Sequence, residues 1–236
     1  EYTFELDKYS VGLTFEHYIF DNLAFDAELP LSYYHLNERY LEYYDSTSGL
    51  TVPRMDKDNL DRFLAEYLRV GADYHLIEGT FGMDIYFDMK IPFGNEYGVS
   101  SNESNFWSDG AFEFSPGINL SLTFEKVYVK AGSKLNIRSE DLTNRLISRV
   151  EAGLFTVPGS ILSGSFEWAS ALGNYDNVRE FNIRRYPAIE DYLDLGVMFG
   201  LNLAEQISTE FRYNIRLLGK NSWNYSQYNL KVIYKL

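Results

Sequence analysis

Residues 191–217 read DYLDLGVMFGLNLAEQISTEFRYNIRL. Leu193, Leu195, Val197, Phe199, Leu201 and Leu203 share one parity, with Asp194, Gly196, Met198, Gly200 and Asn202 between them. After Ala204, Glu205 and Gln206 the alternation resumes. Ile207, Thr209, Phe211, Tyr213, Ile215 and Leu217 fall on one face, and Ser208, Glu210, Arg212, Asn214 and Arg216 on the other. A period of two held this long marks two antiparallel strands joined by a short turn. Each arm reaches the ~9 to 11 residues that a tilted strand needs to cross a bilayer, whereas strands of soluble domains average ~5 to 6. The expectation is an all-β chain: a closed, antiparallel, up-and-down transmembrane β-barrel forming a single domain over 1–236.

Composition agrees. Of 236 residues 17% are aromatic, with Tyr 20 and Phe 17 against Pro 6, yet the chain is hydrophilic on average. That suits a protein with one apolar surface and one wet one. The longest apolar run, about Leu195 to Leu201, is far short of the ~20 residues of a membrane helix, so any crossing is by strands. A formal net charge of -13 excludes nucleic acid as a partner, because phosphates would be repelled. With Cys 0 there is no disulfide framework and no cysteine nucleophile or ligand, while the compartment stays open. No basic and apolar leader opens the chain, so Glu1 reads as a mature or trimmed start.

From the N-terminus, Tyr2, Phe4 and Leu6 alternate in one parity and Tyr9, Val11, Leu13 and Phe15 in the other, which predicts a turn or bulge near Asp7 and Lys8. Short turns are expected near residues 21, 79, 125, 158 and 205, and longer polar links at most joints between. The link from Asn37 to Asp61 is read as loop, with a short helix over Asp56 to Tyr67. Gly94 to Ser108 and Gly173 to Glu190 are read as loops too. Eleven strands fit between Lys8 and Leu236. An even barrel needs one more, and Tyr2 to Leu6 reads as the top of a strand that begins upstream. Twelve strands is the central expectation and ten the fallback, with short periplasmic turns and longer outer loops.

In these features the chain resembles a small, porin-like outer-membrane β-barrel protein of a Gram-negative bacterium, over nearly its whole length. Tyr228 to Leu236 resembles the C-terminal strand that the barrel-assembly machinery of such bacteria recognises. It departs from that pattern in ending on Leu236 rather than an aromatic, and in lacking a glycine a few residues earlier. The resemblance implies residence in the bacterial outer membrane, with the lipid bilayer and the assembly machinery as partners.

A soluble sandwich or a lipocalin-like barrel also alternates apolar with polar, its apolar residues then pointing inward. Strand length, loop asymmetry and aromatics at strand ends favour lipid contact. Tyr18, Phe20, Phe81, Phe124 and Phe155 mark the turn end, and Tyr33, Phe93, Trp107, Trp168, Tyr192 and Tyr225 the loop end, as two girdles. Pro30, Pro92 and Pro116 count against continuous strands, because each removes a ladder donor; Pro116 is expected to sit at a bulge.

If apolar residues face lipid, the charged parity lines the interior. Asp73, Asp84, Asp88, Arg69, Glu113, Arg138, Arg149, Glu167, Asp194, Glu210, Arg212 and Arg216 become the candidate lumen and solute-binding residues. Closing each turn in its shortest register opposes Arg69 with Asp88, Glu113 with Arg138, Arg149 with Glu167, and Asp194 with Arg216. Such pairs brace a wall whatever the protein does. Acid gathers on the early strands (Glu16, Asp26, Glu28, Asp73, Asp84) and base on later ones (Lys130, Lys134, Arg212, Lys231, Lys235), which would set a field across a wet lumen.

Three functions are then open. The first is a channel for small hydrophilic solutes or ions, with a slight lean to cations. The second is a closed barrel acting in binding, adhesion or assembly through tyrosine-rich loops (Tyr40, Tyr43, Tyr44, Tyr97, Phe106, Trp107), or through a partner that supplies the missing strand. The third is a barrel lipid hydrolase, which needs a serine beside a histidine base. His17 has no such serine nearby, His35 sits at a loop edge, and His75 with Asp73 and Asp84 is a weak metal pattern. No catalytic residue, metal ligand or cofactor is assigned.

Overall fold

A computed structural model describes residues 2–45, 51–93, 112–139, 143–172, 191–220 and 224–236. It contains β1 (Tyr2–Phe20), β2 (Leu23–Asp45), β3 (Thr51–Ala65), β4 (Tyr67–Ile77), β5 (Phe81–Pro92) and β6 (Glu113–Thr123). There follow β7 (Val127–Arg138), β8 (Asn144–Phe155), β9 (Ser160–Leu172), β10 (Asp191–Asn202), β11 (Ile207–Lys220) and β12 (Asn224–Lys235). No helix occurs among the described residues. Strands pair with their sequence neighbours by antiparallel ladders, and β1 closes the ring by pairing with both β2 and β12.

The ring holds eleven strands, not twelve or ten, because β3 and β4 are two lengths of one crossing. β2 pairs with β4 from Leu23↔Tyr74 to Glu28↔Arg69, then with β3 from Leu31↔Ala65 to Asp45↔Thr51. Between these ladders the register slips by one residue at Glu66, a bulge. Pro30 stands opposite the slip, where its missing N–H costs no ladder bond, and its carbonyl accepts from the Glu66 N–H at 3.4 Å. The short helix expected over Asp56 to Tyr67 is therefore strand. Its charges fall on both parities, so periodicity there says little; the long β2 offers a hydrogen-bonding edge, and pairing decides.

An odd ring of alternating strands must leave one neighbouring pair running the same way. That pair is β1 and β12, parallel from Glu5↔Asn224 to Glu16↔Lys235. No twelfth strand is needed to close the sheet. Tyr2 to Leu6 belongs to β1 itself, whose register with β2 runs from Tyr2↔Tyr40 through Asp7↔His35 and Lys8↔Tyr34 without a break. The turn or bulge expected at Asp7 and Lys8 is absent. Pro116 needs no bulge either: Phe114↔Ile137 and Gly117↔Lys134 lie on one register either side of it. All five short turns fall where expected, and two of them use a glycine with positive φ, Gly79 (129°) and Gly159 (81°).

The apolar parity points outward. Val197, Phe199 and Phe211 are 49%, 46% and 48% exposed, and Leu195 lies in register with Ile215 on the same outer face. Among the described residues the buried apolar set is only Ala24, Ala72, Ile147, Ala169 and Met198. Buried positions are instead taken by Ser10, Thr14, Ser32, Ser115, Ser148, Ser160, Ser163 and Ser165, together with charged groups. This is the reverse of a soluble barrel, whose interior would hold the large hydrophobic side chains.

Two aromatics assigned to the girdles turn inward instead. The Tyr192 ring lies under the Arg216 guanidinium at 4.0 Å and its hydroxyl donates to Glu167 at 3.1 Å, while the Tyr18 hydroxyl donates to Glu16 at 2.8 Å. Tyr40, Tyr43 and Tyr44, expected in a loop, are β2 positions paired with Asp56, Pro53 and Val52. Tyr97, Phe106, Trp107 and the loops expected at 94–108 and 173–190 lie outside the described residues.

Candidate luminal site

Of the four expected cross-strand pairs, three have the expected register. Glu113↔Arg138 brings Arg138 Nε to 3.5 Å from the Glu113 carboxylate. Asp194↔Arg216 forms a two-pronged bond, Nε to Oδ1 at 2.8 Å and a terminal nitrogen to Oδ2 at 3.1 Å. That fork-to-carboxylate geometry is the strongest form of the interaction. Arg149↔Glu167 is in register, yet Arg149 bonds Glu151 on its own strand and Ser165 at 3.3 Å. Arg69 faces Lys90 rather than Asp88 and reaches Asp88 diagonally at 3.0 Å. The turn after β4 is longer than the tightest closure, with a register shift between His75 and Ile77, so that pair is displaced along the ladder.

Arg69 is the centre of one cluster. Its guanidinium donates to Asp26 at 2.5 Å and Asp88 at 3.0 Å and lies 3.2 Å from Glu28. Asp26 and Asp88 come from strands either side of β4, and both are in register with Gly71. Only a residue without a side chain leaves room there. A Cβ on Gly71 would collide with Asp26 Oδ1 and stand 2.9 Å from Asp88 Oδ1. Lys231 reaches Glu28 at 3.2 Å from β12, over β1, where Gly12 leaves the gap. Lys134 stands 3.8 Å from Asp88.

Glu113 is the centre of a second cluster. Lys90 lies at 3.3 Å, Arg138 at 3.5 Å and Arg145 at 3.7 Å, and the Asn136 amide donates at 3.0 Å. A third cluster occupies the bulge: Glu66 is 6% exposed, 2.7 Å from Lys8 Nζ, and accepts from Ser32, which is bonded to Ser10 at 2.7 Å. Sequence reasoning missed Arg145, Lys8 and Glu66. Arg145 shares its face with Arg149 and Glu151, so running β8 further upstream would have found it.

These contacts follow the wall and do not cross the lumen. Among the described residues each ion pair between strands joins strands that are adjacent or separated by one strand, and backbone approaches between strands link only hydrogen-bonded neighbours. Of the acids read as gathering on early strands, Glu28 and Glu16 meet bases of the last strand, Lys231 at 3.2 Å and Lys235 at 3.9 Å, while Asp26 is held by Arg69 and Asp84 lies beside His75, both on β4.

His75 Nδ1 and Asp84 are 2.7 Å apart in register. Asp73 lies between Ala24 and Tyr86 and makes no ion pair within 4 Å among the described residues. Glu210 and Arg212 line a cavity of about 320 Å³ on the inner side of the β1 and β12 junction. His17 is exposed on the outer face. No group of three or more metal-ligating side chains occurs among the described residues. Comparison with protein-family models and with curated proteins finds no match.

Proposed function

We propose that this chain spans the outer membrane of a Gram-negative bacterium as an eleven-stranded barrel and passes small hydrophilic solutes or ions through its charged lumen. One observation carries the reading: apolar side chains cover the outside, while the ion pairs among the described residues run along the inner wall between strands that are adjacent or separated by one strand. Strands β4 to β10 hold 11 to 13 residues, enough for the ~9 to 11 that a tilted crossing needs. In hydrocarbon every backbone group must be paired within the protein, and the closed ring meets that demand where its strands pair on both sides, while β3 pairs with β2 alone. Single-chain barrels of bacterial outer membranes have an even strand number and the odd-numbered ring is mitochondrial, so closure through the parallel β1 and β12 pair departs from the bacterial pattern. Tyr228, Leu230, Val232 and Tyr234 alternate along β12 and suit recognition by the assembly machinery.

Planar-bilayer recording tests the channel. Discrete conductance steps are expected, with ion selectivity moving toward anions in Asp84→Lys and toward cations in Arg212→Glu. Silence from a protein that shows heat-modifiable gel mobility would remove the channel and leave a closed barrel that works through its outer surface.

A further inference from the structure

The junction cavity faces six charged side chains, and four of them are engaged. Lys8 holds Glu66 at 2.7 Å, Arg69 holds its three carboxylates, and Lys231 is bonded to Glu28 at 3.2 Å. Glu210 and Arg212 are different. Both line the cavity, both sit on one face of β11, and neither makes an ion pair within 4 Å among the described residues. Lys231 is the register partner of Glu210, but Glu28 draws it away across the Gly12 gap. Arg212 has Asn229 beside it in register, and the Asn229 carbonyl already accepts from Gln227 at 3.1 Å, which leaves the Asn229 amide N–H groups for the cavity.

Two partly enclosed opposite charges that do not pair with each other suit a ligand that carries both signs. An anion on Arg212 would be repelled by Glu210, and a cation on Glu210 by Arg212; a zwitterion satisfies both. Side chains two apart on a strand are rooted about 7 Å from each other, close enough for one short dipolar molecule to touch both. A volume of about 320 Å³ is at the small end of ligand pockets, which run from ~300 to 1,000 Å³.

We propose that this cavity binds a free α-amino acid, its carboxylate on Arg212 and the Asn229 amide and its ammonium on Glu210. The inference names a solute class for the channel and rests on that reading. The bound molecule would lie against the parallel junction, held by charge-assisted hydrogen bonds at both ends.

Titration calorimetry on the detergent-solubilised full chain tests it, with L-alanine as the probe and acetate and methylammonium as single-charge controls at matched ionic strength. Saturable L-alanine heat is expected, with both controls weaker. Arg212→Gln and Glu210→Gln should each lower affinity by about tenfold or more. Arg212→Lys keeps the charge without the fork and should give an intermediate loss, so the result does not depend on one variant folding. Acetate binding as tightly as L-alanine, with Glu210→Gln silent, would mark an anion site only and overturn the proposal. No saturable heat from a protein that still conducts would overturn the site and spare the channel. Binding without conductance would uphold the site and remove the channel.

Discussion

Tyr9 and Tyr228 stack face to face across the one parallel junction of the barrel, ring centroids 5.0 Å apart and planes 7° from parallel. The row continues on both sides, to Tyr33 at 6.2 Å and Tyr213 at 4.8 Å. Four tyrosines thus cross β2, β1, β12 and β11 at one level on the outer face. Parallel ladders are slightly weaker than antiparallel ones, and a paired aromatic adds ~0.5–1.5 kcal/mol beyond the area it buries. Tyr228→Ala should lower the temperature at which the folded form loses its heat-modifiable mobility, and Tyr228→Phe, which keeps the ring, should not. An equal loss in the two variants would show that the hydroxyl, not the stack, matters, and no loss in either would show that the stack adds nothing.

Closure by β1 on β12 is open to a covalent test, because the chain has no cysteine of its own. Val11 and Leu230 are register partners on the outer face. In the double variant Val11→Cys and Leu230→Cys, oxidation should join positions far apart in sequence and speed migration of the denatured chain on a gel. Leu195→Cys with Ile215→Cys, partners across an antiparallel ladder, serves as the positive control. If the control pair joins and the junction pair does not, another strand lies between β1 and β12.

Gly71 separates two carboxylates that Arg69 draws together. Gly71→Ala should push them apart and weaken the Arg69 cluster, at a cost of about 1–3 kcal/mol for an overpacked site, read from the urea midpoint of the folded barrel. Gly164→Ala is the comparison: a Cβ there meets only the Gly196 carbonyl oxygen at 3.9 Å, so it should change little. Loss at both positions alike would mean that strand glycines matter for backbone freedom and not for the room one of them gives to Asp26 and Asp88.

Local periodicity made most of the wall legible. Where a turn is short and its residues suit it, as at Glu125 and Lys126 or Pro158 and Gly159, the strands close in the tightest register, and Glu113 meets Arg138 and Arg149 stands opposite Glu167. What was hidden was non-local. Glu66 has no signature as a bulge, because the charges between Asp56 and Arg62 fall on both faces and the residue that explains it, Pro30, is a strand away. The β1 and β12 junction joins the two ends of the chain, and Tyr9 and Tyr228 carry no mark of each other. Lys8 reads as a turn residue because the apolar parity changes beside it, while the backbone pairing with β2 runs straight through. The charges of the candidate site could be assigned to the inner face from parity alone, but which of them pair depends on side chains reaching past a neighbouring strand, as Lys231 does to Glu28.

The outward apolar face gives the sharpest test of the membrane. Val197 lies near the middle of β10, 49% exposed, in register with Gly164 on one side and Tyr213 on the other. On a water-facing surface Val197→Lys would alter stability by ~0.5 kcal/mol or less. Facing lipid near the midplane, the same change should cost about 2–4 kcal/mol. Refolding into phosphatidylcholine vesicles and following urea unfolding measures the difference. Asn214→Lys, on the inner side of β11 with Gly196 and Gln227 as its register partners, is the paired control, because its added charge enters the polar lumen. If Val197→Lys leaves the urea midpoint unmoved while the chain stays monodisperse without detergent, the outer face meets water, and the membrane reading fails together with the channel.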